Sequence, residues 1–429
     1  VFETTHTTST PVVASAPVCA GLNIRAKKLY PIFLCTALAL AHQLAEAFEW
    51  KLVTIHEREY LSAEQVAEFY QLGQKTSIGP TRLLTDGKRE IQITADHQTI
   101  AINGVKHWLS FPVLEHDGLA MVSRVDLSRT IEPLLRPSSI KSCKTFDTVV
   151  LDPGHGGMDN GAQSRWTPDE KTLSLDVAQR SKPLLEAAGF KVVMTRNRDV
   201  FVPLEERARI ATLIPNSVMV SIHFNSGDRS ALGVESYALS PRGTPSSSSR
   251  RLSYTDYEQL PGHATDSNNI LLASSLQRRM AMARGADNEN RGVKRARFVV
   301  LKDSGSPSAL IECGFVSNSQ DAKKISTTAF RQSLATAIRD GVLDYRAQLS
   351  GAPESATIFA MAARKDSENP VIPLDHEAIA KPIVDTTPPI FKRRVDLLPP
   401  VHLPAEAKIS SPADTNKTHP APAPFRPDY

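Results

Sequence analysis

Four residues whose side chains bind metal ions or carry protons, His155, Glu170, His223 and Glu312, stand where apolar runs meet turns or helix starts. His155 follows the apolar VVLDP and lies among Gly154, Gly156 and Gly157, which let the backbone turn tightly and hold the imidazole on a loop tip. His223 emerges at the end of Val218 to Ile222, Glu312 ends Ala309-Leu310-Ile311, and Glu170 opens a helix. Taken singly, each has a structural role open to it. Glu170 can close a T-x-x-E capping box with Thr167, His223 can hydrogen-bond backbone in a core, and His155 can bind an anion. Glu312 is harder to explain that way, because a nearly buried carboxylate is rarely kept without a partner. Together the four make a set that one divalent ion would satisfy, and the residues alone leave metal site and structural roles both open.

The elements that must position them read as an α/β domain over residues 146–349, with a largely parallel sheet covered by helices on both faces. Strands are expected at Thr148 to Asp152, Lys191 to Arg196, Ser217 to Ile222, Gly233 to Leu239 and Ser308 to Glu312. The clearest helix starts at Thr167-Pro168-Asp169-Glu170, carries the stripe Leu173, Val177, Leu184 and Ala188, should kink at Pro183, and stops at Gly189. Polar Ser240 to Asn268 reads as an inserted surface loop, long enough to suggest a gripping element at an end of the sheet, with Arg250, Arg251 and Tyr254 available to an anionic substrate.

Ahead of this domain, residues 48–136 read as a small α+β module. Ser62-Ala63-Glu64-Gln65 has capping-box form, and Asn103-Gly104 and Asp117-Gly118 are hairpin turns between alternating runs at Glu90 to Thr94, Thr99 to Ile102, Val105 to Leu109 and Leu119 to Val125. Residues 1–47 read as an N-terminal extension and secretory signal peptide: Arg25, Lys27 and Lys28 precede apolar Leu29 to Ala41, and Ala45-Glu46-Ala47 is a small-x-small site. That run is shorter than the roughly 18 residues of a membrane span, so no stable span is expected after cleavage. Residues 351–429 hold 14 of the 30 prolines and read as a disordered tail. A net charge of +4 is too mild and dispersed for a nucleic-acid partner. The four cysteines lack CxxC spacing, so a metal must be held by other side chains, and Cys143 and Cys313 are either a disulfide or two free thiols.

The segments VVLDPGHGGMDNGA, Glu170-Lys171 at a helix start, KVVMTR, VMVSIHFNS, GVESYAL, RGVKRARFVVLK and ALIECGFVSN resemble, in order, the zinc-dependent N-acetylmuramoyl-L-alanine amidases of the third amidase family. The resemblance implies a twisted sheet of about six strands. It implies one Zn²⁺ per chain on His155, Glu170 and His223, with Glu312 as the catalytic acid/base. The implied reaction is hydrolysis of the amide between N-acetylmuramic acid and L-alanine in peptidoglycan, by an exported protein of the periplasm or cell wall, with a cell-division activator as a candidate partner. The segment INGVKHWLSFPVLEHDGLAMVSRVDL is similar to the small N-terminal domain of copper amine oxidases. Two other readings compete: a zinc peptidase cutting within the stem peptide, and a non-catalytic wall-binding protein. The latter would ordinarily have lost one of the four residues.

Overall fold

The computed structural model describes residues 48–351 apart from 144, 250 and 286–289. The signal segment and the proline-rich tail lie outside the described residues. The described residues from Lys51 to Gly351 belong to one compact unit. No helix among the described residues is long and apolar enough to cross a membrane.

The chain first forms β1 (Val53–Ile55), β2 (Arg58–Ser62) and helix α1 (Ala63–Phe69). Ser62 caps α1 as the spacing predicts, its hydroxyl accepting from the Gln65 amide at 3.2 Å. Strands β3 (Gln74–Ile78), β4 (Thr81–Thr85), β5 (Glu90–Thr94), β6 (Thr99–Ile102) and β7 (Val105–Trp108) then run as an antiparallel meander. Asn103 and Gly104 both have positive φ, 49° and 76°, which a type I′ turn requires. The hairpin β8 (Leu114–His116) and β9 (Leu119–Ser123) joins β1 and β2 in a four-stranded sheet. Strands β1 to β4 escape the sequence reading because none carries a sustained apolar and polar alternation.

The second half supplies β10 (Thr148–Pro153), α2 (Glu170–Ala187), β11 (Lys191–Met194), α3 (Leu204–Leu213), β12 (Ser217–Asn225), β13 (Val234–Leu239) and α4 (Asp266–Arg284). It ends with β14 (Asn290–Ala296), α5 (Val299–Lys302), β15 (Ser308–Phe315), α6 (Ser319–Ile325) and α7 (Thr328–Ser350). Strand β14 lies in the RGVKRAR segment, which its polar residues hide from a periodicity reading. Helix α2 continues through Pro183, and its buried stripe includes Leu173, Val177 and Leu185 rather than Leu184.

Strands β11, β10, β12 and β15 are parallel neighbours, whereas β13 runs antiparallel to β15 and β14 follows β13. This reversal corrects the expectation for Ser240 to Asn268. Because β13 starts beside His223 and Glu312, the segment after Leu239 leaves from the opposite end of the sheet and does not reach the candidate site. Nor is it a loose loop. Ser247 bonds both ways with the backbone of Arg295, Asp256 pairs with Arg297 at 2.8 Å, and α4 begins at Asp266. Cys143 is exposed, Cys313 is buried, and both are free thiols.

Alternation along the strands places Val150, Met219, Leu239 and Leu310 in one core with Ala211 of α3 and Val300 and Leu301 of α5. Helix α7 packs against both α2 and α4 on the other side. The sheet does not stop at β14, because Val293 pairs with His107 of β7, and eleven strands form one continuous sheet. Buried Arg295 pins this junction, donating to Asp266 and Leu239 O at 2.9 Å and, across it, to the carbonyl of Arg129. Removing one partner of a buried pair leaves the other charge uncompensated. Arg295→Met should therefore lower unfolding free energy by about 3–5 kcal/mol in urea titration, and a loss under about 1 kcal/mol would show the pair to be dispensable.

Candidate metal centre

Side chains of alternate residues share a face, so Met219, Ser221 and His223 of β12 point the same way. His223 pairs in register with Glu312 of β15, and Glu312 with Glu235 of β13. The apolar core therefore ends in a polar row, His223, Glu312 and Glu235, at one end of the sheet. His155 arrives on the loop after β10, and Glu170 from the first turn of α2.

Glu170 is not the capping glutamate that Thr167 suggests. Asp169 occupies the N-cap position without a side-chain bond, and the Thr167 hydroxyl is buried and unpartnered. The Glu170 carboxylate instead turns inward. Its Oε1 accepts from His223 Nδ1 at 2.9 Å and from the Phe224 amide at 3.0 Å, while Oε2 accepts from the Ala162 amide at 2.8 Å and faces His155 Nε2 at 3.1 Å. Burial pushes its pKa up, but hydrogen bonds and charge from His155 and His223 more than reverse this and hold it below the usual carboxylate range. For His155, burial pulls the pKa down, and Glu170 and Asp159 outweigh it to leave a net rise.

The cradle is shaped by missing side chains. A Cβ on Gly154 would lie 2.3 Å from the His223 ring, and one on Gly161 would lie 2.5 Å from His155 and 2.7 Å from Glu170 Oε2. His155 itself holds φ of 60°, a left-handed conformation costing a non-glycine residue about 1–2 kcal/mol. Two buried arginines hold that strained loop. Arg207 donates to the carbonyls of Pro153 and His155 and pairs with Asp152 at 2.9 Å, while Arg196 donates to the carbonyls of Pro153 and Gly154. Asp152 also takes the hydroxyls of Thr195 and Ser221, so the buried carboxylate facing Arg207 is hydrogen-bonded on both oxygens.

These residues suit a metal ion. His155, Glu170 and His223 offer two imidazole nitrogens and a carboxylate oxygen within 4.8 Å of one another, a donor set proper to Zn²⁺. The inward ring nitrogens lie 2.9 and 3.1 Å from the Glu170 oxygens, close enough for one cation to be shared among the three groups. Asp159 accepts from His155 Nδ1 at 2.8 Å, which leaves Nε2 free to present a lone pair inward. Glu312 stands one strand away with Oε2 buried and without a hydrogen-bond partner. Burial first, then the Glu170 and Glu235 charges, raises its pKa well above the usual range. Sequence reasoning found His155, Glu170, His223 and Glu312, and all four converge on this end of the sheet. It missed Asp159, although the residue lies inside the MDNGA stretch, and Glu235, although a carboxylate at one end of an apolar run is the kind of signal that marked Glu312.

A family model described as N-acetylmuramoyl-L-alanine amidase, Amidase_3, matches residues 149–344. The chain is 32% identical over 246 residues to N-acetylmuramoyl-L-alanine amidase AmiA of Escherichia coli strain K12, an alignment covering 52% of this chain and 84% of that one. It is 34% identical over 208 residues to N-acetylmuramoyl-L-alanine amidase LytC of Bacillus subtilis strain 168, covering 48% of this chain and 37% of that protein. The solved N-acetylmuramoyl-L-alanine amidase from Clostridium difficile 630 overlays 47% of this chain and 97% of its own with 30% identity and a TM-score of 0.39. The chain belongs to the N-acetylmuramoyl-L-alanine amidase family. The stretches outside the matched segment, including β1 to β9, fall beyond that family model.

Asp159→Asn removes the carboxylate that orients His155, and a partner of this kind is worth about 10–100-fold in metal affinity. The variant should bind Zn²⁺ that much more weakly in a competition titration with a chelating dye. An unchanged affinity would show that Gly161 and the Arg207 strap orient the ring without it.

Proposed function

We propose that this chain hydrolyses the amide between N-acetylmuramic acid and L-alanine in peptidoglycan, with His155, Glu170 and His223 holding one zinc ion and Glu312 carrying the proton. The observation that carries the reading is the buried, unpartnered Oε2 of Glu312, one strand from a His-Glu-His donor set, in a chain of this family.

When bound, zinc acts as a Lewis acid, polarising the scissile carbonyl and making a water acidic near neutral pH. The chain's own residues do the rest. Asp159 fixes the ring of His155. Glu312 takes the water's proton on Oε2 and delivers it to the departing amine of L-alanine. The neighbouring segment 226–233, which joins β12 to β13 at this end of the sheet, is where a bound glycan peptide would meet the protein.

The substrate lies outside the cytoplasm, so the proposal includes export, to the periplasm or cell wall, and leaves a cell-division activator as a candidate second partner. A peptidase using the same site would cut within the stem and leave L-alanine attached to the sugar. Mass spectrometry of digested muropeptides separates the two, since the amidase alone releases a whole stem peptide with a free L-alanine amine. A chelator should abolish the release.

Glu312→Gln should cut turnover by about 10²–10⁴-fold while keeping one zinc per chain by atomic absorption. Loss of zinc in that variant would mean that Glu312 is a ligand. Glu170→Ala should instead lose zinc, and a stoichiometrically loaded, active Glu170→Ala would return Glu170 to a structural role.

A further inference from the structure

We propose that Trp108, which lies outside the family-matched segment, is a positioning residue for the hydrolysis: its indole holds Lys294 against Glu235, beside Glu312. The inference rests on Glu312 being the proton carrier.

Strand β7 reaches the domain because β14 makes room for it. Gly292 has φ of 83°, and a Cβ there would lie 2.5 Å from the carbonyl oxygen of Lys106. With that space open, Val293 pairs with His107, whose Nε2 meets Ser274 Oγ of α4 at 3.0 Å in a buried contact. The next residue, Trp108, donates its Nε1 hydrogen to the carbonyl of Arg291 at 3.1 Å. Its ring lies 5.7 Å from the Lys294 ammonium, within cation–π range.

Both residues so held, Arg291 and Lys294, grip the same carboxylate. Lys294 Nζ lies 2.7 Å and Arg291 Nε 2.6 Å from Glu235 Oε2. The other oxygen, Oε1, accepts from Tyr237 at 2.6 Å and Asn225 at 2.8 Å. Glu235 is thus buried and fully bonded, and it is the direct register neighbour of Glu312 on the antiparallel strand. A lysine on a flexible four-carbon stem costs rotamer entropy to hold, and the aromatic face of Trp108, with that of Tyr237 at 5.8 Å, confines it. Removing the indole frees Lys294 to leave Glu235, whose carboxylate can then shift against Glu312. The accessory strand therefore contributes to the chemistry.

The test uses the full chain loaded with zinc and a soluble fragment, an N-acetylmuramoyl-L-alanyl peptide, so that adhesion to intact wall plays no part. Trp108→Ala should lower kcat about tenfold, at the low end of the effect of removing a supporting residue, with KM and zinc content as in wild type. Trp108→Phe, which keeps an aromatic face, should recover most of the rate. Lys294→Met should cause a similar loss, and the double variant should be scarcely slower than either single one, as for two residues acting through one contact. A wild-type kcat in Trp108→Ala, a loss confined to KM, or fully additive losses would each overturn the proposal. If Trp108→Ala fails to fold, Lys294→Met and its rescue by Lys294→Arg decide the matter, and a wild-type kcat in Lys294→Met overturns it. A wild-type chain that leaves the fragment uncut overturns the functional reading, a failure distinct from these.

Discussion

The carboxylate of Glu170 is the contact on which the candidate centre depends. It draws two imidazoles and two backbone amides onto one buried side chain, joining the loop after β10, the first turn of α2 and the end of β12. A buried carboxylate with only part of this set would be costly. With all of it, the charge is better accommodated than in water, and the same oxygens that satisfy the rings are the ones a cation would share. Position at the start of α2 adds to this, since the positive end of a helix favours an anion in its first turn.

Around that contact the fold spends its buried polar groups on the loop of His155. Arg207 and Arg196 reach it from the flanking segments and saturate its carbonyls, and Asp152 matches the Arg207 charge. A strained φ at His155 is tolerable only where neighbours over-determine the backbone. Glycines at 154 and 161 complete the arrangement by leaving room for rings and carboxylate. Site and scaffold are thus coupled, because the groups that hold the loop also form the end of the core.

Reversal of β13 gives the site its second half. Had β13 run parallel to β15, Glu235 would have stood at the far end, and the segment after Leu239 would have faced the donors. Running antiparallel, it brings Glu235 next to Glu312 and sends 240–265 away to pack along the end of β14. The sheet then continues into β7, so the preceding module meets the amidase fold through backbone pairing, a buried histidine and a buried arginine.

The sequence by itself determined which residue types could do chemistry, and where. Two histidines and two glutamates at strand and helix ends, set among glycines, were legible because a buried carboxylate or a glycine-flanked imidazole breaks an apolar pattern visibly. Hairpin turns were legible for the same local reason, since Asn-Gly and Asp-Gly accept positive φ cheaply. Tertiary structure alone decided whether Glu170 caps its helix or turns inward, because both roles demand the same residue at the same place. It alone decided strand direction, since an apolar run reads alike both ways, and so it alone could separate the 240–265 segment from the site. Asp159, Glu235 and Trp108 gained their partners only through contacts between elements far apart in the chain, and periodicity carries no information about such distances.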